Sequence, residues 1–580
     1  MLHSMKQASF FLRAASLLLL ATATGAFAAS GPAKSTGPAL GQLDFPVTGS
    51  PECQRLFRQG MLEMHSFQYD QAHASFGAAL RADAGCAMAA WGDAMAYTHP
   101  VWAERDLAKA KAALARIVPE REDALTLRER AHIAVARALY DATDAKAGLR
   151  AWLAAVARMR AEYPDDDEVA LQHALALIAV HGYDKTRQRE QSEAGALALD
   201  VLSRRPDHPG AAHYIIHAFD NPEHAILALP AARTYARIAP AAAHAVHMPS
   251  HTFTHLGMWR DVVPSNVRAY ASSQAAARAL GQPPEKWDWH SYAWLVAAHL
   301  ELGQPGRARK LVDDARALLA TEDSAELRIG YADIAKNYLA QTERWAEAEA
   351  LVAPLLTPIR GEGTGPGGPL ACAEHAPGGS GEERPPFVHF ARGAAHSMRA
   401  EAALRTGDAA AAEARAKDIA AVTEQMKPWA KTGRMSRQAT IAAAYVAEIN
   451  ARAGLLRART PETEKQALDA IAQSVQLTDP IPISGPAFSL TARERLAEAL
   501  LAAGKPAEAL AEYERVVEAR PNRALSLLGA ARAARASGDT AKERAHYRAL
   551  ADLWTDADAD LPVLAEVRAG AGGERLAAAP

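Results

Sequence analysis

Seven of the chain's 21 histidines fall between Ala212 and Trp259. Five of them form two series with four-residue spacing, His213/His217 and His247/His251/His255. Imidazole ligands suit zinc, copper, iron or nickel. Residues four apart share one face of a helix, so each series aims its rings one way. The first series recurs in the second at an offset of 34 residues. Neighbouring helix axes lie roughly 8–10 Å apart, and imidazole nitrogens bind metal at about 2 Å, so rings from two helices can meet at a point between them. The chemistry expected is a transition-metal site for zinc, copper or iron, with His213, His217, His247, His251 and His255 as ligands. Asp220, three residues after His217, is a carboxylate ligand, an orienter of a histidine or a helix cap. The same rings also fit a hydrogen-bonded ladder or a grip on a peptide carboxylate.

Pro249 lies inside the second series, where it kinks the helix or splits it. If the helix splits, His247 leaves the series and His251 and His255 carry the site. Ser250 stands beside His251, but adjacent helical residues do not face each other, so no serine nucleophile is expected. HExxH, P-loop and GxSxG motifs are absent, so no reaction is assigned; the alternative is a metal-dependent enzyme in which an open position on the metal activates water, with Asp220 or Asp93 as the candidate general base. A second patch, WGDAMAYTHPVW, sets Asp93 and Tyr97 four apart with His99 before Pro100. Trp91, Asp93, Tyr97 and His99 supply an aromatic wall and an acid to a ligand-binding groove, or else ordinary repeat packing stopped by the proline. His290, in WDWHSYAWL, faces the same groove one repeat after the second series, and Asp220 borders it.

A helical repeat must position these residues. Thirty-four residues is the period of a helix–turn–helix unit. GKPAEALAEYERVVEARPN and GDTAKERAHYRAL carry Gly504 and Gly538, and Tyr513 and Tyr547, each pair 34 apart. Each glycine supplies the left-handed backbone that ends a first helix, and Pro521 stops a second one. The pattern recurs at Tyr69, Ala72, Phe76 and Ala79, at Gly303, at Trp345 and at Gly407. Gly257 aligns with Gly504, so the histidines ride on first helices, which line the concave face of such arrays. The fold class expected is all-α, an α-α superhelical solenoid of tetratricopeptide-like helix hairpins. Its concave groove takes a peptide, a protein or a small molecule.

A net charge of −3 offers no basic field for nucleic acid. Residues 1–28 pattern as a signal peptide, with Lys6, an apolar run strongest over ASLLLLATA, and a small-x-small cleavage site at Ala26-Phe27-Ala28. That run is short of the ~20 residues of a spanning helix. No transmembrane segment is expected in the mature chain, which is placed in the periplasm or secreted. An exported chain can pair two of its three cysteines, Cys53, Cys86 and Cys372, and Cys53 with Cys86 is the first candidate. Residues 29–48 read as a flexible leader and 49–357 as an N-terminal solenoid with the histidine-rich groove. Residues 358–386 read as a Gly/Pro-rich surface loop or a lid, and 387–575 as C-terminal repeats.

YDQAHASFGAAL, HYIIHAFDNPEH, HAVHMPSHTFTHLGMW and ISGPAFSL together resemble a family of bacterial exported tetratricopeptide-repeat proteins, over nearly all of the mature chain. HYxxH and HMPSHxF are its most distinctive motifs. The resemblance implies an α-solenoid and puts His213, His217, His247, His251 and Trp91 at motif positions. It carries no reaction. Asp93 stands where the family more often shows glutamate, and the 358–386 insertion is peculiar to this chain.

Overall fold

The computed structural model describes residues 39–102, 104–142, 144–181, 187–357, 387–429 and 433–572. The signal-like stretch 1–28 and the segment 358–386, with Cys372, lie outside the described residues. The fold is all-α. Helices run from Pro51–His65 to Leu564–Gly570, and each packs mainly on its sequence neighbours. Among the described residues the sole sheet is a two-stranded ribbon, with Thr98 opposite Arg105 and His99 opposite Glu104. None of the described helices is long and apolar enough to cross a membrane.

The repeat punctuation has a direct backbone cause. Gly257, Gly303, Gly407, Gly504 and Gly538 take φ between 66° and 80°, where a Cβ would clash. Pro305 and Pro506 sit in the first turn of the helices that follow, where the missing N–H has no partner to lose. Cys53 and Cys86 are disulfide-bonded with their Cα atoms 6.0 Å apart. The bond ties the first turn of Pro51–His65 to the N-cap of Ala87–Ala96.

Residues 39–48 depart from the flexible leader expected of them. Leu40, Phe45 and Val47 are buried. Gln42 N donates to Asp207 O, and Ala241 N donates to Ala39 O. Thr48 donates through N and Oγ1 to the Glu129 carboxylate at 2.6 and 2.8 Å. The glycine that suggested mobility allows a close approach instead: a Cβ on Gly41 would stand 2.6 Å from Asp207 O.

The C-terminal hairpins pack back onto the middle of the array. Trp259 Nε1 donates to Asn522 O at 2.9 Å, and Trp554 Nε1 donates to Glu301 O at 2.9 Å. Arg523 lies buried in this seam, between Glu301 at 2.5 Å and Glu494 at 2.9 Å. One apolar core thus spans much of residues 40–262 and takes in side chains from 524–567.

Candidate metal centre

Four helices carry the histidines: Pro209–Ala218 (His213, His217), Ala243–His247 (His244, His247), Pro249–His255 (His251, His255) and Trp289–Glu301 (His290). Pro249 interrupts hydrogen bonding without turning the chain. Met248 keeps right-handed helical angles, φ −50° and ψ −35°, and His251 N bonds back to Met248 O. The helix is pinched, not split, so His247 stays on the face of His251.

The rings do not converge on one point. They form two groups, His213/His217/His244 and His247/His251/His290, with ligand nitrogens inside each group within 4.8 Å of one another. The groups adjoin: the His217 and His251 ring centroids are 6.3 Å apart. His213, His217, His247 and His251 are buried, not spread along an open groove, while His244 and His290 keep part of their surface.

Hydrogen-bond partners decide which nitrogen each ring presents. Asn266 Nδ2 donates to the Val262 carbonyl at 2.8 Å, an atom that can only accept. Asn266 Oδ1 therefore faces His247 Nδ1 at 2.7 Å, and that nitrogen carries the proton. The Ser291 hydroxyl donates to Asp288 at 2.5 Å and accepts from the same N–H at 3.0 Å. His251 Nδ1 donates to Asp220 Oδ2 at 2.9 Å. In their neutral forms His247 and His251 thus turn acceptor Nε2 atoms toward each other across 3.2 Å. Two nitrogens at 2.0–2.1 Å from one tetrahedral ion stand about 3.3 Å apart. In the other group His213 Nδ1 donates to His65 O at 2.7 Å, which leaves His213 Nε2 as an acceptor 3.1 Å from His244 Nε2.

An aromatic ring covers each group. Phe67 stacks on His217 and His244 at 5.5 Å and meets His213 edge-on at 4.3 Å. It does so with φ of 54°, a left-handed backbone that is strained for a bulky residue. Trp294 lies 4.6 Å from His251 and 5.0 Å from His247. Burial, reinforced by neighbouring histidines, holds His213, His217 and His244 well below the ordinary imidazole range. Burial and then His251 push His247 down to about 3. Burial alone would raise the Asp220 carboxyl; the charge of His251 and hydrogen bonds from His251 and His255 outweigh it and keep Asp220 ionised. Neutral imidazole is the ligating form.

A third group, His65/Glu168/His208, is equally close but internally satisfied. Glu168 accepts from His65 Nε2 at 2.9 Å and His208 Nε2 at 3.0 Å, His65 Nδ1 meets Tyr214 Oη at 3.0 Å, and His208 Nδ1 accepts from Ala211 N at 3.3 Å. It braces His65, whose carbonyl aligns His213.

Several expected site residues lie elsewhere or act differently. His255 gives Nε2 to Asp220 Oδ1 at 2.9 Å and belongs to neither group. Asp220 orients rings, since both its oxygens are committed to histidines. Trp91 is core, not groove wall: it packs on Phe45 and Phe57 and donates to His132 O at 3.0 Å. Asp93 pairs with His73 and Arg116, with Tyr97 stacked on His73 at 4.1 Å. His99 pairs with Glu104 and stacks on Tyr69 at 4.0 Å. His290 does join His247 and His251. The sequence reading missed His244, although its three-residue spacing from His247 marks one helix face as well as four does.

A scan against protein-family models and a comparison with curated proteins each find no match. Among solved structures the chain is similar to the Cut9–Hcn1 hetero-tetramer of the APC/C, at 12% identity over 83% of this chain and 76% of that one, with a TM-score of 0.31. It is also similar to the human IFIT1 dimer with m7Gppp-AAAA (12% identity, 87% and 90% covered, TM-score 0.32) and to yeast Tom70 (11%, 84% and 96%, TM-score 0.30). Likenesses of this size carry no argument about function. The class of protein rests on the chain's own stacked helix hairpins and on the imidazoles they enclose.

Proposed function

We propose that this is an exported helical-repeat protein that holds zinc or copper on the groups His213/His217/His244 and His247/His251/His290. The observation that carries the reading is the 3.2 Å separation of His247 Nε2 and His251 Nε2, with both Nδ1 protons already committed. Two acceptor nitrogens at that distance repel, and a shared cation turns the repulsion into two bonds. The donors are all imidazole, which suits zinc and copper. Three imidazoles leave a tetrahedral ion one open position, where a bound water could be activated. Export is supported by the signal-like pattern of residues 1–28 and by the Cys53–Cys86 disulfide, a bond of oxidising compartments.

The test is metal analysis by mass spectrometry on untagged protein. Up to two ions per chain are expected, with His213→Ala removing one and His251→Ala the other. Protein that purifies metal-free and takes up neither zinc nor copper overturns the reading. A mature N-terminus at Ala29 is the expected mark of export.

A further inference from the structure

The C-terminal half holds a half-open cavity of about 840 Å³, lined from Ala325–Thr342, Phe387–Arg405, Ala409–Gln425, Gly433–Arg457, Pro461–Thr478, the 479–491 connection, Ala492–Ala502 and Pro506–Ala519. Ile419, Val422, Ile441 and Leu490 give it apolar walls. Most of its charges are neutralised in place. Arg493 pairs with Asp479 and Glu512, Arg495 with Glu448 at 2.6 Å, Arg515 with Glu512, and Glu401 with Arg452 at 2.8 Å.

Two lining cations differ. Among the described residues neither Lys336 nor Arg520 has a carboxylate within ion-pair distance; Arg520 donates only to the Gly485 carbonyl, at 2.7 Å. Both are half-buried in the wall. Burial lowers the Lys336 amine, and burial followed by Arg523 pushes Arg520 down to about 10. Asp333, the acid one turn before Lys336, is pushed up to about 6 by desolvation; its charge still favours the lysine's, but the two are not within ion-pair distance. The wall also holds buried polar atoms with no hydrogen-bond partner: Ser474 Oγ, Gln438 Oε1 and Trp345 Nε1. Native proteins leave few such atoms unpaired, and a half-buried cation with no counter-ion is a ready partner for an anion.

We propose that this cavity binds a small organic acid, its carboxylate drawn to Lys336 and Arg520 and its apolar body laid on Ile419, Val422, Ile441 and Leu490. The volume falls in the range of small-molecule sites, roughly 300–1,000 Å³. Apolar walls with a few unpaired donors match an amphipathic anion better than a neutral lipid or a sugar. The cavity shares no residue with either histidine group, so this inference stands apart from the metal reading.

Titration calorimetry on the full chain tests it with octanoate, phenylpropionate, octan-1-ol, and a trileucine peptide with free or amidated C-terminus. One of the two acids should bind saturably at one per chain, at least about tenfold tighter than the alcohol, the effect of one charge-assisted hydrogen bond. Lys336→Met and Arg520→Met should each weaken it by about as much, and Lys336→Arg should retain it. Lys310→Met, at an exposed pair with Asp314, should change nothing. Since Arg520→Met also frees the Gly485 carbonyl, the Lys336 pair of variants decides if that protein fails to fold. Absence of saturable binding by either acid, equal binding of the alcohol, or wild-type affinity in a folded Lys336→Met protein each overturns the proposal. Capture of the free-ended peptide alone also overturns it, in favour of a chain terminus as ligand.

Discussion

Asp220 sets its two carboxylate oxygens against two imidazoles, His251 Nδ1 on Oδ2 and His255 Nε2 on Oδ1, each at 2.9 Å. The contact commits the His251 proton to Nδ1 and so presents Nε2 to His247. An orienting carboxylate of this kind is typically worth about 10–100-fold in metal affinity. Asp220→Asn should therefore weaken zinc binding by that factor, read by competition with a chromophoric chelator, with helical circular dichroism retained. Wild-type affinity in this variant would show that His251 is aligned by something else.

The acid side of the stability curve follows from the same rings. His213, His217 and His244 titrate well below the ordinary imidazole value, and His247 near 3. Unfolded, each would take a proton below about pH 6.5. Below about 6.5 the unfolded chain therefore binds more protons, down to about 3 for His247, and stability drops as pH drops, by about 1.4 kcal/mol per unit for each fully titrating ring. Asp220 and Glu168, held low in the fold, add stability above the carboxylate range that is lost as pH falls through it. The urea midpoint of metal-free protein should be level from pH 8 to 7 and drop steeply from 6 to 4, and saturating zinc should lift it at neutral pH. A level midpoint down to pH 5 would mean that the rings are not buried as neutral groups.

These groups show how far the sequence could be read. The 34-residue offset correctly marks His213 with His247, and His217 with His251, as equivalent positions on successive hairpins. Equivalence is not contact, however. His213 meets His244 and His247 meets His251, because Met248 stays helical and carries the second helix past the first. His255 follows the same spacing rule yet faces Asp220. Spacing fixes a face of a helix and says nothing of what waits opposite. Asn266 and Ser291, which fix the His247 tautomer, come from two further helices, and no local pattern joins them to it. The return of the C-terminal hairpins onto Trp259 and Glu301 was likewise not legible, since each helix there has an ordinary repeat pattern and only tertiary packing reveals the seam.

Cys53 and Cys86 are 33 residues apart, and a loop of that length corresponds to about 3–4 kcal/mol of chain entropy removed from the unfolded state. Reduction, or Cys53→Ser with Cys86→Ser, should lower the free energy of urea unfolding by that amount. Metal content should be unchanged, because the bond joins helices that carry none of the six histidines of the two candidate metal groups, and His65, whose carbonyl aligns His213, lies at the far end of Pro51–His65 from Cys53. An unchanged midpoint after complete reduction would show that packing alone holds this corner.

Arg523 holds Glu301, 222 residues away in sequence, on one side and Glu494, 29 away, on the other. Glu301 also accepts from Ala524 N at 2.7 Å, and Glu494 from Ser526 Oγ at 2.7 Å. The two ways of breaking this cluster should differ. Glu301→Gln keeps an acceptor for Ala524 N and leaves Arg523 its second carboxylate, so its cost should be the smaller. Arg523→Met leaves two buried carboxylates without a cation, a loss of about 3–5 kcal/mol. Glu494, which burial would raise and Arg523 holds low, would then titrate upward. The defect of Arg523→Met relative to wild type should therefore shrink as pH falls from 7 to 5, where proton uptake replaces the missing cation. Urea unfolding of both variants at the two pH values checks this, and a defect that is equal for both variants, or larger at pH 5, would show that the seam is held by its apolar contacts.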